Sequence, residues 1–472
     1  MKRKLALILV LVFVMALLPA CGQQAAPAGQ EAPAAEAPAT EAPAAAAPEA
    51  ASNSGERQKV VIWTNLTAEA QMNILQKQFS EIGEELGVDV EVDAIALSDL
   101  YTKMATGKET GDIPDLMQTA EASIAYLQQQ DLLLPVDDII DELGKDDFMQ
   151  SALDMCTKDG HVWGIPDWVL HTSVWYNKAM FAEQGIEVPT SWDEFREAAK
   201  KLTVDTDNDG QIDVYGFPVP MSPTLVATQT FYPFLCSEGM TILDPKTGEY
   251  LFDKNIDAEI EIMDYIIDLY KEASPPDALS WAWSDYRNGL VEGNVAMTLD
   301  MGAVVKIAME NNPDMVQNLG CFDLPAKNGP AAANFGGTYN MLATKQDDPA
   351  KEELAKEFLR RLYVPERTAE RALSRPLFAF PSQNSAFEIY KENEDVKVFE
   401  AEMNYIYGSL RDSAWYAYGM EDGLNQLNTS MQATTFFGEE MQGVALGSQT
   451  SAAAIKAIDE GLKEQIELIN ES

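Results

Sequence analysis

Side chains able to do chemistry are unevenly spread along this 472-residue chain. It carries two histidines, His161 and His171, and neither stands near a nucleophile motif. GxSxG, HExxH, the Walker loop and GxGxxG are all missing, so the reactions those spacings support have no foothold. Carboxylates are plentiful, at 76. A glycosidase, however, needs two of them at a fixed separation in one pocket, which a sequence cannot display. No residue pattern therefore argues for an enzyme.

What does concentrate is aromatic surface beside short polar side chains. A sugar presents apolar C–H faces and a rim of hydroxyls, so its receptor needs flat rings edged by Asp, Asn, Glu and backbone groups. The candidate contacts are Trp63 with Asn65, Thr119 with Glu121, and Trp168 with His171, joined by Tyr232, Trp283, Asp300, Tyr339 and Trp415. Each has a plainer reading. Trp163, Trp175 and Trp192 suit a core better than a ligand, because most Trp is buried for packing. Glu121 also suits the positive end of a helix, and His171 a structural hydrogen bond.

A second constellation is acidic. Asp205, Asp207 and Asp209 occupy positions 1, 3 and 5 of a calcium loop, with Gly210 at 6, Gln211 at 7 and Asp213 at 9. Such spacing wraps hard oxygens around one cation. Gly216 stands at position 12, where an EF-hand needs Glu. The loop is thus either a structural calcium site or an acidic turn held by Asx hydrogen bonds. No cofactor is required otherwise.

Strands alternating with helices must position these groups. KVVIWT (59–64) reads as a buried strand. Met72, Leu75, Phe79, Ile82 and Leu86 recur at helical spacing after a cap at Thr67, and Gly87 ends that helix. Residues 88–96 and 113–119 read as further strands, which implies a parallel, helix-covered sheet with ligands at its C-terminal strand ends. From His161 the run is aromatic and punctuated by Gly164 and Pro166, as strand, turn, strand. A helix over 178–184 stops at Gly185, and Ser191 with Glu194 forms a capping box opening a helix over 192–202.

WGIP followed by VWYNKAMFAEQGIEVPTSWDEFREAAKKLT resembles the extracellular solute-binding proteins of ABC importers, in particular the sugar-binding group that includes maltose-binding protein. The likeness continues through LSWAWSDYRNGLVEGNVAMTLDMGAV, GGTYNMLATKQDDPAKEELAKEFLRRL and RPLFAFPSQ. It implies a type II α/β fold of two lobes around a cleft, each a mostly parallel sheet flanked by helices. Lobe 1 would take 57–168 and 326–383, and lobe 2 would take 169–325 and 384–472. It also implies a monomer that delivers carbohydrate to the transmembrane permease subunits. Thr119 stands where maltose-binding protein has a Trp. Two rivals are a surface enzyme or adhesin, and the same fold binding a polyamine. The chosen cleft positions hold no Arg or Lys, which disfavours a phosphorylated ligand.

Composition sets the compartment. Lys2, Arg3 and Lys4 precede an apolar run, Leu5 to Leu18, of signal-peptide length, so residues 1–20 read as a signal peptide. Leu18-Pro19-Ala20-Cys21 looks like a lipobox, which implies lipidation of Cys21 and attachment to the outer face of the cell membrane. Residues 22–56 repeat EAPA and lack core-forming side chains, so 21–56 reads as a lipidated tether, up to ~110 Å if wholly polyproline II. A net charge of −43 repels phosphate backbones and excludes nucleic acid as a partner. Cys156, Cys236 and Cys321 show no metal spacing; one disulfide is possible, and buried free thiols fit better.

Overall fold

The computed structural model describes residues 57–66, 69–244, 247–416 and 435–471, with the side chains of 70, 97, 98, 101, 102, 105, 415, 416 and 469–471 excepted. The signal peptide, Cys21, the tether and the Thr67 cap lie outside the described residues.

Twelve strands are described. They are β1 (Lys59–Thr64), β2 (Asp89–Ala94), β3 (Leu116–Ala120), β4 (Thr157–Lys158), β5 (His161–Val162) and β6 (Ile165–His171). Then come β7 (Ser173–Asn177), β8 (Met297–Asp300), β9 (Leu319–Phe322), β10 (Asn334–Ala343), β11 (Phe380–Pro381) and β12 (Trp415–Tyr416). The first sheet runs β11-β6-β10-β3-β1-β2, with β12 also on β10. β1 pairs in parallel with β2 and β3, as strand–helix–strand alternation dictates. The helix Glu69–Leu86 covers them with Leu75, Phe79 and Ile82 buried, and Gly87 ends it at φ +70°.

β6, β10 and β11 depart from the expected parallel order. All their contacts with one another and with β3 are antiparallel. The reason lies in the path of the chain. β6 leaves the sheet at His171 and β10 enters it beside that point, with Gly336 opposite His171. Thr172 alone separates β6 from β7, so the chain passes between sheets within one residue; its N–H donates to Phe335 O at 2.9 Å. The second sheet, β8-β7-β9, is antiparallel throughout.

Two cores follow. Ile62, Phe79, Leu116, Ile165, Met341 and Phe358 build the first. Phe195, Phe217, Phe231, Phe234, Ile266 and Ile455 build the second. Ala386, Phe387, Tyr390, Met403 and Leu410 pack into the first core, although the expected division gave 384–472 to lobe 2. The helices Phe436–Ala445 and Ser451–Glu471 pack into the second.

Under the first sheet runs a buried polar chain. Arg371 donates to Asp167 Oδ1 from Nη2 at 2.6 Å and from Nε at 2.9 Å. Gln118 Nε2 donates to Asp167 Oδ2 at 2.9 Å, and Thr64 Oγ1 donates to Gln118 at 3.0 Å. This fastens β1, β3 and β6 to the helix Pro365–Leu373, each buried group being satisfied as burial demands.

The 161–203 run folds largely as its sequence dictates. The helix Lys178–Gln184 is capped by Asn177, whose Oδ1 accepts from the N–H groups of Ala179 and Met180, and stops at Gly185 with φ +58°. Ser191 Oγ caps Trp192–Lys201 by accepting from Glu194 N. The return bond of the box is displaced by one residue, Glu194 accepting from Thr190 N and Oγ1, both at 2.8 Å. Cys156, Cys236 and Cys321 are free thiols. Among the described residues no helix is long and apolar enough to cross a membrane.

Candidate functional site

The strand ends of the first sheet build one wall. Trp168 on β6 and Tyr339 on β10 are direct cross-strand neighbours, so their rings share a face. They stack with centroids 5.3 Å apart and planes 29° apart. Trp168 is 2% exposed, and its indole Nε1–H has no protein acceptor. Asn65 follows β1 and donates its N–H to Gln118 O at 3.3 Å, while its Oδ1 is buried and unpartnered. Burial raises the Tyr339 phenol above its usual range, against the opposing pull of the Arg375 cation and the Asn65 side chain.

Glu121 closes this wall. It begins the helix Ala122–Gln129, and its carboxylate accepts from Thr338 N at 2.9 Å. Gly337 leaves it room, since a Cβ there would stand 3.1 Å from Oε2. Burial lifts the Glu121 carboxyl to about 7, with the Thr338 N–H pulling the other way. The Thr338 side chain, next to Tyr339 on β10, points to the opposite face of the sheet, toward Cys156.

The second lobe supplies the other wall. Asp300 ends β8, buried, and accepts from Arg287 Nε at 2.6 Å and from Val304 N at 3.3 Å. Tyr286 OH also approaches it at 3.5 Å. Trp283 opens the helix Trp283–Glu292, remains 36% exposed and donates Nε1–H to Gln229 at 2.9 Å. With Tyr286, Gln229 and Thr298 it lines a shallow hollow.

The segment 374–379 lies between the walls and meets both. It leads into β11, which pairs with Trp168 and Val169. It also touches the end of β8, because a Cβ on Gly302 would fall 2.1 Å from Leu377 O. Arg375 lies here half-buried, its guanidinium 3.3 Å from the centre of the Phe378 ring. Burial and the like charge of Arg287 draw its pKa down to about 10, while Tyr339 and Asp300 oppose that.

At the junction of the lobes, His171 Nε2 lies 2.8 Å from Asp323 Oδ1. Asn334 Nδ2 and Ser409 Oγ donate to Asp323 Oδ2, both at 3.2 Å, and Asp323 N donates to Tyr405 OH at 3.0 Å. Burial would raise the Asp323 carboxyl, but the hydrogen bonds from His171, Tyr405 and Asn334 outweigh it and hold it low.

Several expected contacts land elsewhere. Trp63 is a core residue, 2% exposed with Lys103 Nζ 4.0 Å over its ring, because β1 is buried on both faces. Tyr232 is fully buried in the second core and hydrogen-bonds Thr241 at 2.8 Å. Thr119 is buried and bonds Ser123 at 2.8 Å. Trp415 lies on β12 opposite Asn334, its side chain outside the described residues. Trp168, Tyr339, Glu121 and Asn65 share one wall, Asp300 and Trp283 the other, and His171 sits at the junction. Arg287, Arg375 and Asp323 escaped sequence reasoning. The chosen positions hold no Arg or Lys, but Arg287 and Arg375 stand beside Asp300 and Tyr339. Arg375 opens the RPLFAFPSQ match, and its unpaired state depends on tertiary neighbours.

In the acidic loop, carboxylate oxygens of Asp205, Asp207 and Asp209 lie within 4.8 Å of one another. They already accept backbone N–H groups: Asp205 from Asp209 and Gly210, Asp207 from Asp209, and Asp209 from Gln211. Asp213 turns to Thr206 N at 2.7 Å. Three carboxylates therefore suit a cation, whereas Asp213 is turned to Thr206. A wider hollow of about 720 Å3 lies between Ile186–Thr190 and the helix at 192–201, with Glu187, Glu194 and Lys201 on its rim. It is an open notch on one lobe, and no strand residue lines it.

The profile of bacterial extracellular solute-binding proteins matches residues 63–368. An arabinooligosaccharide-binding protein of Halalkalibacterium halodurans is 26% identical over 293 residues, 58% of this chain and 59% of the relative. The GacH receptor of Streptomyces glaucescens, solved unliganded and with acarbose, superposes with a TM-score of 0.67 at 21% identity, covering 86% of this chain and 99% of that one. A solute-binding protein from Agrobacterium radiobacter K84 in complex with ribitol gives a TM-score of 0.71 at 19% identity, covering 88% and 99%. These likenesses speak for the two-lobed α/β fold. Since the family match spans well over half of the chain, the chain belongs to the bacterial extracellular solute-binding protein family.

Proposed function

We propose that this protein captures a carbohydrate, an oligosaccharide rather than a single ring, between its lobes and delivers it to the permease of an ABC importer. The observation that carries the reading is the Trp168–Tyr339 stack beside buried polar atoms with no protein partner: Trp168 Nε1 and Asn65 Oδ1. A stacked aromatic platform accepts the C–H face of a sugar ring, and orphaned donors and acceptors accept its hydroxyls. Relatives that bind arabinooligosaccharide, acarbose and ribitol support the same class. The protein binds without turnover, acts as a monomer and is held to the extracytoplasmic membrane face by a lipid on Cys21 after removal of residues 1–20. Calcium in the Asp205–Asp209 loop, with Gln211 and Asp213 as outer members, belongs to the proposal as a structural ion.

A thermal-shift screen against mono- and oligosaccharides, polyols and polyamines, with and without calcium, tests this. A ligand at ~100 times its dissociation constant adds about 2.7 kcal/mol, which a melting curve resolves. Trp168→Phe keeps the stack but removes Nε1–H. It should weaken the best saccharide about tenfold, the worth of one buried hydrogen bond. Response to polyamines alone overturns the carbohydrate reading. A calcium-dependent rise in the melting point that survives Asp207→Asn removes the ion from this loop.

A further inference from the structure

The cleft holds an uncompensated positive charge. Arg57, Arg196, Arg287, Arg360, Arg361, Arg367, Arg371 and Arg411 each have a carboxylate within 4 Å. Among the described residues Arg375 has none. This is against expectation in a chain with 76 acidic and 33 basic residues, where carboxylates outnumber cations more than twofold. Asp300, the acid whose charge acts on it, is engaged by Arg287 at 2.6 Å. The group of Arg287, Asp300 and Arg375 thus sums to one positive charge at the meeting point of the two walls.

The side chain is also aimed and held. Its guanidinium carbon stands 3.3 Å from the centre of the Phe378 ring, a cation–π contact that holds the group over that ring. The backbone beneath is fastened: Arg375 N donates to Ala372 O at 3.1 Å, and Arg375 O accepts from Phe378 N and Ala379 N at 3.2 and 3.0 Å. A half-buried, oriented guanidinium without a protein acid is costly to keep unless something pairs with it. Charge balance selects that partner. A monoanion neutralises this group, whereas a doubly charged phosphate would turn its net charge negative beside Asp300.

We propose that the captured carbohydrate is acidic, a uronic-acid-containing saccharide whose carboxylate pairs with the N–H edge of Arg375 while a ring stacks at Trp168 and Tyr339. The inference rests on the carbohydrate reading above. The carboxylate matches the planar fork of a guanidinium through two parallel N–H···O bonds. Burial and the Arg287 charge, which already bring Arg375 down to about 10, are the influences such an anion would offset.

Isothermal titration of the purified protein with oligogalacturonate, with the uncharged galactose oligomer of equal length, with a sulfated counterpart and with spermidine tests both layers. The acidic oligomer should bind about 100-fold tighter than the neutral one, as a buried charge-assisted pair allows. Arg375→Gln should cut that preference below about tenfold while moving neutral-sugar affinity only a few-fold. Arg375→Lys should fall between, since it keeps the charge and loses the fork. If neutral sugars bind wild type as tightly as acidic ones, the acidic-ligand inference is overturned and the carbohydrate reading survives. Preference for the sulfated oligomer overturns the carboxylate assignment. Binding of spermidine alone, or of no saccharide, overturns both layers. The wild-type comparison decides even if a variant fails to fold.

Discussion

Glu121 shows how one buried group makes the site answer to pH. Its carboxyl titrates at about 7 in the fold and at about 4.3 in an unfolded chain. Between those values the native state holds a proton that the unfolded state has lost, so stability falls as pH rises through the window. The loss is bounded at about 4 kcal/mol by the size of the shift. Glu121→Gln should therefore flatten the difference in urea midpoint between pH 5 and pH 8 relative to wild type. An unchanged difference would place the titration elsewhere, for instance at Glu259, which burial raises to about 9. The position of Glu121 is legible in the sequence because it follows a strand and opens a helix. Its protonation is not, because the shift arises from the closeness of β10, more than two hundred residues along the chain.

At the scale of elements, the contact between β8 and the 374–379 segment is decided by a glycine. Gly302 adopts φ +95°, and any Cβ there would meet Leu377 O. Leu377 itself holds φ +59°, rare for a bulky residue, and Tyr390 OH accepts its N–H at 2.8 Å. Gly302→Ala should cost about 2–3 kcal/mol in denaturant unfolding, the left-handed penalty plus the push between the two segments. Gly87→Ala is the control, since its φ is +70° with nothing within 4 Å of the added atom, and it should cost about 1 kcal/mol. Equal losses would mean that the β8 contact yields freely. Local signals of this kind read well from sequence: Gly87, Gly185 and Ser191 end or begin helices as their types require. That Gly302 is needed for a crossing between lobes does not read, because its neighbour is seventy-five positions away.

Across the whole molecule, Asp323 ties together the paths that pass between the lobes. It engages His171 at the end of β6, Asn334 at the start of β10, and Tyr405 and Ser409 on the helix Glu400–Asp412. Its carboxyl is held low, so its stabilising contribution is complete above the ordinary carboxylate range and is lost as pH falls through the native value. Asp323→Ala removes an acceptor shared by three donors and should cost about 3 kcal/mol near neutral pH. The deficit should shrink under acid, as equilibrium unfolding across pH would record. Ligand-saturated wild type should also contract in small-angle scattering if closure accompanies capture, and an unchanged radius of gyration would sink the closing mechanism.

The sequence by itself determined the α/β alternation, the helix ends, the family and the aromatic and acidic character of the strand ends, because period, capping and turn chemistry act within a few residues. It could not separate Trp168, which faces Tyr339, from Trp63 or Tyr232, which are packed in cores, since on strands and helices buried all round every position looks alike. Strand direction in β6, β10 and the whole second sheet followed from where the chain crosses between sheets, a property of the global path. The same holds for Arg375: its type is written in the chain, but its freedom from any carboxylate was set only when the acids of both lobes had taken their places.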